Sequence, residues 1–252
     1  MRQLPGPDLI DVDVFLSIVQ HYFVRNRIML ADDNLMNCFL IVMGMIVGYL
    51  FILIPILVYY AIQHMRSPQL ISLPEPDWDD YLTGKCRLES DWAGINQFEL
   101  VGIYRLQQNF ILVWQNSDIA AYFQITLSPY GRFHNFTTLF KEDYSLVTAN
   151  DRESLVFPAP PKRFVQSFGI EKIDALNEKH QSSVADLTRV KHLELPEQLP
   201  GFEETYLSSI RQQHEYVRSF PFYPILGIWW YHVGRRMKFN QPINLQEAVL
   251  EN

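Results

Sequence analysis

The hydrophobic pattern of this chain changes character twice. No charged residue occurs between Asn34 and Gln63, and Cys38 to Ile62 reads CFLIVMGMIVGYLFILIPILVYYAI. As a helix rising 1.5 Å per residue, that run would be about 37 Å long. A bilayer's hydrocarbon core is about 30 Å thick, so the run can cross it with some tilt. A helix buried in a soluble core is usually shorter and carries polar residues, so the pattern predicts a transmembrane helix over 34–63. Inside it, Gly44 and Gly48 have the small-xxx-small spacing that lets a second helix approach closely. Chance is the competing account, because glycine is frequent in membrane helices. Pro55 removes a backbone donor and predicts a bend near Phe51.

Upstream, Ile10, Val14, Phe15, Ile18, Val19, Tyr22 and Phe23 recur near the helical period, with Asp8 placed to cap them. A helix over Leu9–Leu30 is expected to lie on the headgroups or to dock on a partner. Nothing at the N-terminus resembles a cleaved leader: Asp8, Asp11 and Asp13 do not suit a transit peptide, and the apolar run begins too late for a secretory signal.

Beyond Phe98 the period becomes two. FELVGIYRL, NFILVWQN, IAAYFQITL and RFHNFTTLF are strands in series, and DYSLVTA and ESLVFPA extend the meander to six. Ala121, Phe123, Ile125 and Leu127 point one way and Tyr122, Gln124 and Thr126 the other, so one sheet face is core and the opposite one partly wet. Pro158, Pro160 and Pro161 are expected to end the sheet. The period then returns to helical, with Ile170, Ile173, Leu176, Val184 and Leu187 marking one amphipathic helix and Phe202, Tyr206, Ile210 and Val217 a second. Laid over the apolar face of the sheet, these helices complete an α+β domain.

Two junctions remain. Ser67 to Gly84, with Pro68, Pro74, Pro76 and the acidic EPDWDD, reads as an extended linker. FPFYPILGIWWYHVGRRMK, from Phe220 to Lys238, has 14 uncharged residues up to Val233, too few to span a bilayer. Trp229, Trp230 and Tyr231 suit the membrane–water boundary, and Arg235, Arg236 and Lys238 suit anionic headgroups. The same stretch would equally serve as a helix closing the domain's own core. The organisation is therefore 1–33 arm, 34–63 span, 64–84 linker, 85–219 α+β domain and 220–252 aromatic and basic segment.

The formal charge of −7 argues against a nucleic-acid partner, which calls for a clustered basic face. Arg25 and Arg27 before the span, against Arg66 after it, lean towards an internal N-terminus, whereas a membrane-bound basic run at 235–238 points the other way. Cys38 and Cys86 allow no disulfide framework.

The motifs GxSxG, GxxxxGK[ST], HExxH and CxxC are missing, and nothing calls for a cofactor or a metal. Cys86 sits between Lys85 and Arg87, which would favour a thiolate, but no base is placed for it. His192, Glu194, Glu197, Glu203 and Glu204 could hold a metal by composition, although Pro196 and Pro200 break any helix that would present them together. Ser128, His134 and Asp143 would meet only if the hairpin brought them together, and Asn135-Phe136-Thr137 is a glycosylation sequon inside an expected strand. These patterns give a single-pass membrane protein working by contact, as a scaffold, assembly factor or accessory subunit partnered by lipid and by another transmembrane helix. The alternatives are a membrane-tethered enzyme acting on lipid or an envelope component, and a lipid- or ligand-binding sensor domain.

Overall fold

A computed structural model describes residues 32–49, 68–220 and 230–244. The arm helix at Leu9–Leu30, the second part of the expected span with Pro55, and Trp229 lie outside the described residues. The chain divides into two compact units, Met1–Leu53 and Ile54–Asn252.

In the first unit, helix α1 covers Asp32–Gly48. Phe39, Leu40, Ile41, Met43, Met45 and Val47 are all exposed, so apolar side chains surround the helix rather than lining one stripe. No helix among the described residues is long and apolar enough to cross a membrane.

The second unit is α+β. Its sheet has seven strands in sequence order: β1 Leu70–Ser72, β2 Glu99–Leu106, β3 Asn109–Asn116, β4 Ala121–Ser128, β5 Gly131–Leu139, β6 Ser145–Ala149 and β7 Arg163–Ser167. Neighbours are antiparallel except β6 and β7, which run parallel. Two expectations are corrected here. ESLVFPA is not a strand, because Asp151 caps a short 3-10 turn over Arg152–Leu155 by accepting from the Ser154 amide. The three prolines do not end the sheet either; they belong to the crossover that returns the chain to β6 as the parallel strand β7. The linker stretch also has structure: Leu70–Ser72 forms β1, and Leu73, Trp78, Tyr81 and Leu82 pack on the core.

Side-chain alternation gives the sheet two unlike faces. On one, Trp114, Phe123 and Phe136 stand side by side across three strands, with Phe123 and Phe136 stacked at 4.9 Å between ring centres. Helix α2 (Arg87–Ile95) covers this layer through Ala93, and Trp92 meets both phenylalanine rings edge-on. Helix α3 (Ile173–Lys191) covers it further along through Leu176, His180, Ser183 and Leu187, one stripe of a helix. Helix α4 (Phe202–Ser219) goes to the opposite face, not beside α3 as a single-layer packing would require. Its first residue, Phe202, packs on Tyr104 and Tyr122, which point away from the Phe123 layer. The sheet is thus sandwiched.

The C-terminal stretch closes the β7 edge. Phe239 bridges Ser167, and the Asn240 amide donates to the Ser167 carbonyl at 2.8 Å. Before it come a π-helical turn, Trp230–Gly234, and a short helix α5, Arg235–Lys238.

Candidate ligand-binding site

The wetter sheet face builds a cavity. Cross-strand register places Tyr122, Thr137, Val147 and Val165 in one row over β4 to β7. Gln124 and Asn135 flank the row on one side, and Leu139, Ser145 and Arg163 on the other. Helix α4 lies over this surface and is held to it at two places, Phe202 and Ser209. At the near end the Phe202 ring rests on Tyr104 and Tyr122, 5.2 and 5.5 Å away between centres. Midway along the helix Arg163 Nη1 donates to Ser209 Oγ at 2.5 Å, and one turn later Gln213 Nε2 donates to the Pro158 carbonyl in the crossover at 2.9 Å. Between these supports the helix stands off the sheet, leaving about 610 Å³. That lies within the roughly 300–1,000 Å³ of small-molecule sites.

The lining is graded. Val147, Val165, Leu139, Val156 and Ile210 supply apolar wall, while Gln124, Asn135, Thr137, Thr205, Ser208 and Ser209 supply polar groups. Asn135 Oδ1 is buried and has no hydrogen-bond partner. Exposed Asp143, Glu153 and Glu204 stand where the cavity meets solvent. Burial, reinforced by Tyr104 and opposed by a hydrogen bond with Thr205, pushes the Tyr122 phenol up to about 12. Its hydroxyl donates to the Pro200 carbonyl. Burial likewise pushes Tyr206 up to about 12, against the pull of Arg163. Both phenols are therefore neutral donors at physiological pH. Desolvation holds the Arg163 guanidinium below its ordinary value, with Tyr206 opposing. It remains a cation, and no carboxylate among the described residues pairs with it.

Two further polar clusters lie on the other face and are structural in their bonding. His180, fully buried, sits between Thr138 Oγ1 and Thr148 Oγ1, each 2.8 Å from a ring nitrogen. Gln166 Nε2 donates to Thr148 Oγ1, and Gln166 Oε1 accepts from Ser183 and from the Ile243 amide. Burial drives the His180 pKa down to about 3. Buried Glu89 is bonded by Arg132 and lies 3.4 Å from His134 Nε2. Burial pushes its carboxyl up, but the bonds from His134, its backbone and Arg132 outweigh this and hold it below the usual range.

The sequence candidates fall elsewhere. Gly44 and Gly48 have open space where a Cβ would stand. Trp230 donates its indole N–H to the Leu155 carbonyl at 2.9 Å, and Arg235 pairs with Glu153 at 3.2 Å, so both take part in the domain's packing. Arg236 and Lys238 are exposed, Lys238 lying over the Trp230 ring. Tyr231 lies in the π-helical turn. Cys86 is buried, and desolvation followed by Glu89 pushes its thiol up to about 11, the reverse of activation by Lys85 and Arg87. Ser128, His134 and Asp143 are not brought together: Ser128 bonds within its own hairpin, His134 with Glu89 and Asn150 on the core side, and Asp143 lines the cavity. Glu194 pairs with Lys141, and no group of three metal-capable side chains converges among the described residues. Asn135 of the sequon faces the cavity.

Arg163 and Ser209 escaped the sequence reading. The one available signal was a cation alternating with Val165 in RFVQS, a pattern too short to name a strand. Compared with protein-family models, with curated proteins and with solved structures, the chain matches none.

Proposed function

We propose that this is a membrane-anchored, non-catalytic interaction protein whose extramembrane domain captures a small molecule between α4 and the sheet. The observation that carries this is the standoff of α4, which leaves a cavity of about 610 Å³ over a face bearing both aliphatic and polar groups. Binding is favoured over the enzyme reading by how the hydroxyls are used. Ser209 Oγ accepts from a guanidinium instead of facing a base, and Tyr122 donates to a backbone carbonyl. The histidines His134 and His180 belong to the opposite face.

A thermal-shift series on the full chain in lipid nanodiscs tests this reading. Some amphiphiles of a mixed-headgroup set raise the midpoint of wild type and not of Val147→Trp, whose indole would occupy the cavity. A set that shifts neither protein contradicts the proposal.

The anchoring half rests on the uncharged run and on α1, whose apolar side chains are exposed all round. Open space at Gly44 and Gly48 supports a helix–helix contact there. Crosslinking in membranes should trap a dimer or a partner, and Gly44→Leu with Gly48→Leu should abolish the product. An undiminished product in that double variant, or none in wild type, contradicts this half.

A further inference from the structure

Resting on the ligand-binding reading above, we infer that the cavity's occupant is an amphiphile with a single carboxylate head, seated on Arg163 beside Ser209 and Tyr206. The guanidinium carries five N–H donors in a rigid fork. Only Nη1 makes hydrogen bonds, to Ser209 Oγ at 2.5 Å and, weakly, to the Ser209 carbonyl at 3.5 Å. Nε and Nη2, whose N–H groups run parallel, bond to nothing among the described residues. That pair matches the two oxygens of one carboxylate in a bidentate contact. A half-buried charge without a counter-ion among the described residues is costly, and an anionic ligand would reduce the cost.

Neighbouring groups fit the same head. Ser209 Oγ accepts from Arg163 and keeps its own proton to donate, and Tyr206 lines the cavity as a neutral phenol. Asn135 Oδ1, buried and unsatisfied further along the sheet, asks for a donor from the ligand's body. Val147, Val165, Leu139, Val156 and Ile210 would face an aliphatic tail. Charge sets the number of negative groups. Among the described residues one cation lines the cavity, while Asp143, Glu153 and Glu204 stand at the rim and, of these three, Glu153 alone is paired, with Arg235. A polyanion would be repelled at the mouth, whereas a monoanion is matched by Arg163 alone.

Equilibrium binding of radiolabelled octanoate, octyl phosphate and octanol to the full chain in nanodiscs, with empty discs subtracted, tests this inference. Octanoate should bind at least tenfold tighter than octanol and tighter than octyl phosphate. Arg163→Met should bring octanoate down to the octanol level while leaving octanol unchanged, and Arg163→Lys, keeping the charge but not the fork, should recover only part of the loss. Circular dichroism confirms that each variant is folded. Equal binding of octanoate and octanol, or no effect of Arg163→Met in a folded protein, overturns the carboxylate inference and leaves the cavity reading standing. Tighter octyl phosphate overturns the choice of carboxylate. Binding of none of the three, with Val147→Trp indistinguishable from wild type, overturns both.

Discussion

Arg163, on the last strand, and Ser209, midway along α4, join the sheet to the helix above it by one hydrogen bond of 2.5 Å. The opposite support is aromatic, with Phe202 against Tyr104 and Tyr122. Two dissimilar props therefore hold a helix off a surface it would otherwise settle on, and the space between them is the site.

Removing the polar prop should loosen the helix. Ser209→Ala loses a charge-assisted bond, worth about 1.5–3 kcal/mol when fully buried and nearer 1–2 kcal/mol at this half-buried position. The thermal midpoint of the full chain should fall by about 2–8 °C, with faster amide exchange over 202–219 and unchanged exchange in β3 and β4.

His180 makes stability depend on pH. Its folded pKa of about 3 lies below the ordinary 6.5, so between those values the unfolded chain takes up a proton that the folded chain refuses. Stability is therefore lost as pH falls through that window, by about 1.4 kcal/mol per unit. His180→Gln does not titrate. Its stability loss between pH 7 and pH 5 should be smaller than that of wild type by about 2 kcal/mol, the window from 6.5 down to 5.

Glu89 acts from a different proton balance. Its folded pKa is depressed, so its contribution is present above the unfolded carboxylate value and disappears as pH falls through the folded one. Glu89→Gln leaves Arg132 and His134 without their charged acceptor. It should cost about 2–3 kcal/mol at pH 7, because Arg132 is partly solvated. The penalty should shrink at pH 3, and chemical denaturation at both pH values measures it.

The thiol of Cys86 should be protected in the folded chain. Cys86 is buried and its thiol is pushed up to about 11, so at pH 8 almost none is thiolate and reagents cannot reach it. Iodoacetamide should leave Cys86 unmodified in the native chain and alkylate it fully in denaturant, as peptide mass mapping would record.

What the sequence made legible follows from how apolar residues are spaced. Strand β4 was readable because Ala121, Phe123, Ile125 and Leu127 alternate with Tyr122, Gln124 and Thr126. β7, no shorter than β6, was hidden because it follows three prolines that read as the end of the sheet. α4 was visible as a helix from Phe202 and Tyr206, but an amphipathic stripe does not state which sheet face it covers. That choice depends on Tyr104 and Tyr122, residues far away in sequence that offer a ring surface on the wetter side. His180, Gln166 and Glu89 were unreadable as interior residues, since only their bonded partners, brought in by other elements, make their burial tolerable.

Native mass spectrometry of the full chain, released from nanodiscs after separate incubations with octanoate, octyl phosphate and octanol, tests the central claim most directly. Wild type should carry one bound molecule that survives gentle activation, and Val147→Trp should carry none. Identical spectra for the two proteins, with or without adducts, would contradict a binding site between α4 and the sheet.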